Sequence, residues 1–271
     1  MKHRILVALT ALWTTAACAA PLVMTGAPNG SWSQMHARFA PIARYLSAAL
    51  HRPVVFRNSG DLVNFGQNIL HRRVDILFGG PQILSWADKQ YGYVPILAAR
   101  GSLSFSLVAR SRRFHAISDL DSGETVCGLP PPNLGTMVLM AHYPNPLRQP
   151  DIIPVSSPMA AIRGVSDGRC LAAAVPTRLA VAHASLHVRV VAPLGRFPNQ
   201  GFVVSSRLAP ALRHRIAQAL MAGARAGVLR PLQSANGITG WRSPGPKHYL
   251  GYGHFIQGVL GYVAFHARPV S

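Results

Sequence analysis

Residues 125–143, TVCGLPPPNLGTMVLMAHY, place small and polar side chains at a turn between a predicted strand and a predicted helix. Three consecutive prolines stiffen the turn, and Asn133, Gly135 and Thr136 follow them. The first backbone N–H groups of a helix have no partner within the helix and carry a partial positive charge, so a turn of this kind can hold an anion. The pattern therefore predicts an anion or a polar head group, held by backbone more than by charge.

A Gly-x-Ser-x-Gly pattern at residues 164–168 is typical of the nucleophile turn of serine hydrolases. That turn needs a strand before the serine and a helix after it, whereas here a helix pattern precedes the motif and a strand pattern follows it. The acid of a catalytic triad would also be missing, because no acidic residue follows Asp167. We interpret the motif as a helix-ending turn with Gly168 in the left-handed conformation, and we expect no enzyme.

Two further residue types could do chemistry. His183 and His187 have the spacing of a metal-binding pair on a helix, but no carboxylate or cysteine lies near them in the sequence. We expect a solvated pair, no metal site and no cofactor. Asp75, in the segment Val-Asp-Ile, is expected to cap a neighbouring loop at a strand end rather than to act in catalysis.

Strand and helix patterns alternate along the chain, which predicts an α/β fold with right-handed crossovers and mainly parallel sheets. In a first unit we predict strands at 22–25, 53–56, 74–78 and 94–98. Helices are predicted at 39–50 and 82–90, and a further helix begins after Asp61, which is its expected N-cap. In a second unit we predict strands at 104–109, 125–129, 152–155, 171–175 and 188–191, and helices from 133 and at 158–165. A strand at 201–205, a helix at 209–223 and an aromatic-rich tail to Phe265 are predicted to return to the first unit.

The chain is predicted to cross between two lobes near residue 103 and again near residue 200. Lobe 1 would comprise residues 21–103 and 201–271, and lobe 2 residues 104–200. Clefts between domains and the carboxyl ends of parallel strands are preferred ligand sites.

Three polar or aromatic residues are placed where they could face this cleft. Gln82 follows the third strand and Ser104 lies on the crossing strand, so each either contacts a ligand or makes a local turn bond. Trp32, in the loop after the first strand, either stacks over a ligand or covers the core.

The first 20 residues have the pattern of a signal peptide, with a charged start, a short apolar run and small residues at the end. The mature protein is therefore expected to be exported or periplasmic. Residues 15–18, Thr-Ala-Ala-Cys, loosely resemble a bacterial lipobox, so lipidation of Cys18 and ordinary cleavage both remain open.

The formal charge is +19, and removal of Lys2 and Arg4 with the signal peptide leaves +17. The basic residues are scattered along the chain. A binder of single-stranded nucleic acid would require aromatic residues that alternate with them, and this pattern is missing. We therefore expect no nucleic acid partner and interpret the charge as a property of the whole surface that favours anions. Cys127 and Cys170 can form one disulfide in an oxidising compartment or remain two buried thiols.

Several segments together resemble one known family. These are FAPIARYL at 39–46, PVVF at 53–56, ILHRRVDILFGGP at 69–81, ISDL at 117–120 and the turn and helix at 130–140. The chain is similar over roughly residues 22–225 to the phosphonate/phosphite-type solute-binding proteins of ABC importers, which have the type 2 periplasmic binding fold.

The resemblance implies two lobes with mixed, mainly parallel sheets and a hinge of two crossing segments. It implies a monomer that captures a small ligand, expected to be an oxyanion, and delivers it to an ABC permease in the membrane. Ligand contacts would come from Trp32, Ser59, Gln82 and Ser104 on one side and from Asn133, Gly135, Thr136, Ser157 and Thr177 on the other.

The chain departs from this family at two places. Phosphonate binders have a Ser/Thr-rich run where this chain has Asn133-Leu-Gly-Thr136, and aminophosphonate binders have a carboxylate near the strand that here reads AAAVPT at 172–177. A ligand with an ammonium group is therefore disfavoured. Two alternative functions remain open: a sensory accessory that reports its ligand state to a membrane kinase or receptor, and an adaptor that binds a polyanion through its charge.

Overall fold

The computed structural model describes residues 20–110, 112, 114–259 and 262. Cys18, nearly all of the predicted signal peptide and Phe265 lie outside the described residues. The strands are β1 (Leu22–Gly26), β2 (Val54–Phe56), β3 (Ile76–Gly79), β4 (Tyr93–Ala99), β5 (Ser102–Ala109), β6 (Thr125–Gly128), β7 (Asp151–Pro154), β8 (Ala172–Pro176), β9 (Arg189–Pro198), β10 (Gly201–Ser205) and β11 (Trp241–Arg242). The helices are α1 (Trp32–Leu50), α2 (Leu62–Leu70), α3 (Pro81–Tyr91), α4 (Leu134–Ala141), α5 (Pro158–Ser166), α6 (Thr177–Ala182), α7 (Pro210–Arg225) and α8 (Arg230–Asn236).

These strands form two sheets, and each sheet with its helices is one lobe. The sheet of the first lobe has the order β11-β4-β10-β3-β1-β2, and the sheet of the second lobe has the order β7-β6-β8-β5-β9. The predicted two-lobed α/β architecture with mixed sheets is confirmed. Antiparallel pairing is more extensive than predicted, because β10 pairs antiparallel with β3 and β4, and β5 does so with β8 and β9.

The start of α2 is as predicted, whereas α1 begins at Trp32, seven residues before the predicted 39–50, and α6 and α8 were not predicted. Asp61 caps α2 by accepting a hydrogen bond from the Asn64 backbone N–H at 2.7 Å, as expected. Ser31 and Gln34 form a capping box at the start of α1. Gly168 has a φ of +77° and ends the turn after α5, and β8 follows, so the order of helix and strand around residues 164–168 is not that of a nucleophile turn.

Each sheet is covered by helices on both faces, which completes its hydrophobic core. In the first lobe, α1, α7 and α8 pack on one face and α2 and α3 on the other. In the second lobe, α4 packs on one face, and α5 and α6 pack on the other. Strand β9 is longer than the predicted 188–191, because it pairs with the whole of β5 despite the prolines and the glycine in it.

The chain passes between the sheets twice, and the two crossings run side by side. One lies between β4 and β5 and the other between β9 and β10. The Ala99 N–H donates to the Gln200 carbonyl at 2.8 Å, and Asn199 Nδ2 donates to the Arg100 carbonyl at 2.9 Å. The predicted hinge of two crossing segments is therefore a hydrogen-bonded pair.

The tail after β11 was predicted to pack against the first lobe alone. It packs against both lobes. Tyr249, Ile256 and Tyr262 are buried against the α2–α3 face of the first lobe. Tyr252 and Phe255, in a 3-10 helix at Tyr252–Ile256, pack instead against Phe197 of β9, with ring centroids 6.0 and 5.8 Å away. The helix-like spacing does not correspond to one helix, because only Tyr252 and Phe255 of these aromatic residues lie in the 3-10 turn.

The described residues contain no helix that is long and apolar enough to cross a membrane. Within the same part of the chain, no group of three histidine, cysteine or acidic side chains is placed to hold a metal ion. His183 ends α6 with its Nδ1 3.0 Å from the Leu179 carbonyl, and His187 has a φ of +57° beyond the following 3-10 turn. Asp75 accepts a hydrogen bond from the Val23 N–H at 2.8 Å and so holds β1 rather than a loop.

Candidate functional site

Most of the predicted contact residues follow the carboxyl ends of parallel strands, in both lobes. In the first lobe, β1 and β3 are parallel neighbours, and Gly79 and Gly80 lead from β3 into α3. In the second lobe, β6 is parallel to β7 and to β8. The turns after these three strands carry the start of α4, the start of α5 and the start of α6. Since parallel strands end at the same edge of a sheet, the three turns share one edge.

Gln82 connects the two edges directly. Its Nε2 donates a hydrogen bond of 2.9 Å to the carbonyl of Pro132, the residue before the N-cap of α4. The side chain is 95% buried, and its Oε1 has no hydrogen-bond partner among the described residues. A Cβ at Gly80 would lie 2.7 Å from Oε1, so a side chain there would have to displace the end of the Gln82 side chain. Gln82 is therefore neither a simple cap nor a local turn residue, and it joins the lobes.

At the start of α4, the three predicted anion-binding residues are engaged within the protein. Asn133 Oδ1 accepts a hydrogen bond from the Gly135 N–H at 3.1 Å. Thr136 Oγ1 donates to the Leu129 carbonyl at 2.7 Å, and Thr136 is fully buried. The ring of Phe105 lies against Gly135, where a Cβ would be 2.7 Å from Cδ1. The structure thus shows a closed arrangement of this turn, with an aromatic ring over its first glycine.

The other predicted contacts of the second lobe also have internal partners. Thr177 Oγ1 and Ser106 Oγ are 2.8 Å apart, which connects the start of α6 to β5. Ser157 caps α5 and accepts a hydrogen bond from the Ala160 N–H at 3.1 Å. Both hydroxyls lie at the carboxyl edge of the sheet, where small rotations would let them face a ligand.

In the first lobe, Ser59 belongs to a chain of polar contacts at the end of β1. Thr25 Oγ1 donates to the Arg57 carbonyl at 2.7 Å and lies 3.3 Å from Ser59 Oγ. Asn68 Nδ2 donates to Ser59 Oγ at 3.3 Å. Thr25 and Asn68 were not singled out from the sequence, because neither residue lies in a recognisable motif.

Trp32 and Ser104 are more exposed to solvent than Gln82 and Thr136. Trp32 is the first residue of α1 and is 65% exposed, with its ring stacked on His36 at 4.9 Å. Of the two predicted alternatives, coverage of the core is therefore wrong, and Trp32 lies in a helix and not in a loop. Ser104 is half-buried on β5, opposite Arg196 of β9.

Aromatic side chains form a part of this region that sequence reasoning missed. Phe105 of β5 and Phe197 of β9 lie 6.3 Å apart, and the tail residues Tyr252 and Phe255 pack on Phe197. Since Phe105 also covers Gly135, this cluster closes the same side of the second lobe. The turn at the start of α4 thus lies beside an aromatic cluster.

Comparison with known proteins identifies the relatives of this arrangement. The family model for the periplasmic substrate-binding protein of phosphonate ABC transporters matches residues 24–249. A search of curated proteins finds no match.

Solved structures share the fold at low sequence identity. The Xanthomonas citri protein XAC2383 bound to ATP superposes with a TM-score of 0.71 and 15% identity, over 90% of this chain and 99% of that one. PhnD1 from Prochlorococcus marinus in complex with methylphosphonate has a TM-score of 0.68 and 11% identity, over 87% and 97%. A binding protein component of an ABC phosphonate transporter from Pseudomonas aeruginosa has a TM-score of 0.64 and 14% identity, over 84% and 83%.

The match spans most of the chain and confirms the resemblance found in the sequence, including the type 2 periplasmic binding fold. The family consists of non-enzymatic periplasmic proteins that bind solutes for transport. This chain belongs to the family of periplasmic substrate-binding proteins of phosphonate ABC transporters.

Proposed function

We propose that this protein captures a small oxyanion between its lobes, as a monomer, and presents it to an ABC permease. The observation that carries the proposal is the buried hydrogen bond from Gln82 Nε2 to the Pro132 carbonyl, which joins the N-terminal ends of α3 and α4 across the lobes. Phosphonate, phosphite and phosphate are the first candidates. Two similar proteins, solved with methylphosphonate and with ATP, carry ligands with phosphorus oxyanions.

Capture would be a hinge motion of the two lobes predicted as residues 21–103 with 201–271 and residues 104–200. Because β5 of the second sheet begins at Ser102, the first crossing lies slightly before the predicted boundary. The paired crossings near Ala99–Gln200 supply the axis, since hinges are short segments that absorb backbone rotation while the packed lobes stay rigid. In the open form, Gln82 would leave Pro132 and expose the turn at 133–136 to solvent. Closure on a ligand would restore that contact.

The groups offered to the ligand are hydrogen-bond donors without a formal charge. Gln82, Asn133, Gly135 and Thr136 would contribute at the two helix ends, where the aligned peptide dipoles favour an anion by about 1 kcal/mol or less at exposed sites. Trp32, Ser59, Ser104, Ser157 and Thr177 are proposed to complete the contacts. The phenyl ring of Phe105 over Gly135 favours a ligand with a small apolar substituent beside its oxyanion.

The absence of any acidic residue after Asp167 also selects against one ligand class. A ligand ammonium would lie unpaired in a region where the described contacts are with amides, hydroxyls and aromatic rings. Burying such a charge without a partner costs several kcal/mol, so an aminophosphonate should bind more weakly than the corresponding alkylphosphonate.

The test is a calorimetric and thermal-shift panel of phosphate, phosphite, methylphosphonate, 2-aminoethylphosphonate, sulfate and small carboxylates. A specific ligand at 100 times its dissociation constant should add about 2.7 kcal/mol to the free energy of unfolding. Gln82→Met should weaken its affinity roughly tenfold, the effect of about 1.4 kcal/mol for one lost buried hydrogen bond. A panel without any stabilising anion would contradict the proposal.

Gln149→Met is the matched control. Gln149 Nε2 also donates to a backbone carbonyl, that of Met140, but within the second lobe. Equal loss of affinity in both variants would mean that Gln82 acts through general stability and not at the interface between the lobes.

A further inference from the structure

A second pocket lies outside the region between the lobes, on the side of the first lobe covered by α7 and α8. It has a volume of about 510 Å³ and is lined by the end of β4, by β11 with the residues before it, and by one face each of α7 and α8. This volume falls within the roughly 300–1,000 Å³ that is typical of small-molecule sites.

Three arginines line this pocket, and each comes from a different segment. Arg100 follows β4, Arg225 ends α7 and Arg242 ends β11. No aspartate or glutamate lines the pocket, and none of the three arginines forms an ion pair with any residue that the structure describes. Three guanidinium groups beside one concave surface repel each other unless an anion lies between them.

Arg100 is held in place by the backbone around it, and Arg242 lies beside a histidine side chain. Arg100 Nε donates to the Trp241 carbonyl at 3.0 Å, and the Arg100 N–H donates to the Gly240 carbonyl at 2.8 Å. Arg242 Nη2 lies 3.3 Å from His248 Nδ1. Because Nε of Arg100 is occupied, its two terminal nitrogens remain as a fork, the geometry that suits two oxygens of one phosphate.

An unpartnered donor adds a second, independent observation. Trp241 lines the pocket and is 93% buried, yet its Nε1 has no hydrogen-bond acceptor among the described residues. Buried N–H groups normally have a partner, and because this Nε1 is itself buried, an acceptor in the pocket would reach it after a small rotation of the ring. Thr239, Ser243 and Gln233 line the same pocket and offer further donors.

We propose that this pocket is a second anion site that binds a compound bearing phosphate or pyrophosphate, separate from the ligand site between the lobes. Arg100, Arg225 and Arg242 would take the phosphate oxygens, and Trp241 would border the remainder of the compound. The concave shape favours a single head group over an extended polyanion, which needs a continuous basic track.

Titration calorimetry with inorganic pyrophosphate tests this site. We expect one equivalent to bind in the wild-type protein, more weakly as the salt concentration is raised. Arg225→Gln and Arg242→Gln should each lower the affinity roughly tenfold or more, because each removes charged hydrogen bonds. Both side chains are exposed, so both variants should fold. Arg225→Lys keeps the charge but loses the fork and should lower the affinity less.

Two controls separate this site from surface charge and from the site between the lobes. Arg44→Gln removes an exposed charge from α1 and should leave pyrophosphate binding unchanged. Gln82→Met should also leave it unchanged. Equal affinities in the wild type and all arginine variants would overturn the proposal. Loss of pyrophosphate binding in Gln82→Met alone would also overturn it and would assign the anion to the region between the lobes.

Vesicles distinguish the source of the phosphate. If the wild-type protein floats with phosphatidylglycerol vesicles and Arg225→Gln abolishes this flotation, the site is supported with a lipid phosphate as its ligand. Arginine-dependent binding of pyrophosphate without such flotation would support it with a soluble phosphate compound. No pyrophosphate binding and no arginine-dependent flotation would overturn the proposal, whatever the panel of small anions shows for the region between the lobes.

Discussion

Cys127, on the central part of β6, is joined by a disulfide to Cys170, which stands just before β8, with their Cα atoms 5.6 Å apart. The bond therefore fastens two neighbouring parallel strands of the second lobe to each other. Gly164 of α5 lies against it, since a Cβ at that position would be 2.6 Å from Cys127 Sγ. Both cysteines are buried, and the bond is part of the core between α5 and the sheet.

Removing this disulfide should destabilise the protein. The closed loop spans 43 residues, for which the chain-entropy argument gives roughly 4 kcal/mol, and measured losses are commonly about 2–5 kcal/mol. Urea unfolding of the wild type with and without reductant measures the effect. The variant with both Cys127→Ser and Cys170→Ser should resemble the reduced protein and be insensitive to reductant. Equal stability of the reduced and oxidised wild type would contradict this prediction.

Gly201→Ala should destabilise the crossing into β10. An added Cβ would lie 2.5 Å from the Leu97 carbonyl oxygen and would also collide with the buried hydroxyl of Tyr249. Because the carbonyl belongs to the paired strand β4, the strands would have to separate, at a cost of about 1–3 kcal/mol.

Gly245→Ala is the control for this substitution, since a Cβ there meets no atom within 4 Å. Thermal unfolding of both variants measures the difference. Equal melting temperatures would show that the crossing tolerates the added methyl group and that the close packing around Gly201 is not required.

Phe255→Ala should loosen the tail from the second lobe while leaving its anchor in the first. Phe255 packs on Phe197, whereas Tyr249 and Ile256 are buried against the first lobe. Losing a half-buried aromatic contact should cost about 1–2 kcal/mol. Amide hydrogen exchange at 252–256 should rise more than exchange in α3.

Leu250→Ala is the matched control, because it truncates an apolar side chain of the same tail that is exposed to solvent. It should change neither stability nor exchange. An equal rise in exchange throughout α3 in Phe255→Ala would mean that the tail is not an independent strap between the lobes.

The pKa of Asp119 should lie below its ordinary value. Hydrogen bonds from the backbone N–H of His115, at 2.6 Å, and from that of Ala116, at 3.0 Å, stabilise the carboxylate and lower this pKa. A carboxylate whose pKa is lower in the folded than in the unfolded protein stabilises the fold above the unfolded pKa of about 3.9, and this contribution is lost as the pH falls through the folded pKa.

The Asp119→Asn variant should therefore be less stable than the wild type near neutral pH, and the difference should shrink as the pH falls to about 3. Urea unfolding as a function of pH measures it. Asp151→Asn, at an exposed position on β7, serves as the control and should follow the wild type. A difference for Asp119→Asn that does not depend on pH would contradict this origin.

Local patterns in the sequence determined most of the elements and the family. The N-cap at Asp61, the left-handed Gly168 and the alternation of strands and helices depend on interactions within a few residues, so they can be predicted from spacing alone. The quoted segments around residues 39–81 were sufficient to identify the family that the match over residues 24–249 shows.

Only the tertiary structure decided which groups are free and which are paired. Gln82 bonds to Pro132, 50 residues away, and Ser106 lies beside Thr177, 71 residues away. The arginines of the second pocket are likewise brought together from positions 100, 225 and 242. Such contacts depend on strand order and on the close packing of side chains from distant segments, which no local pattern encodes.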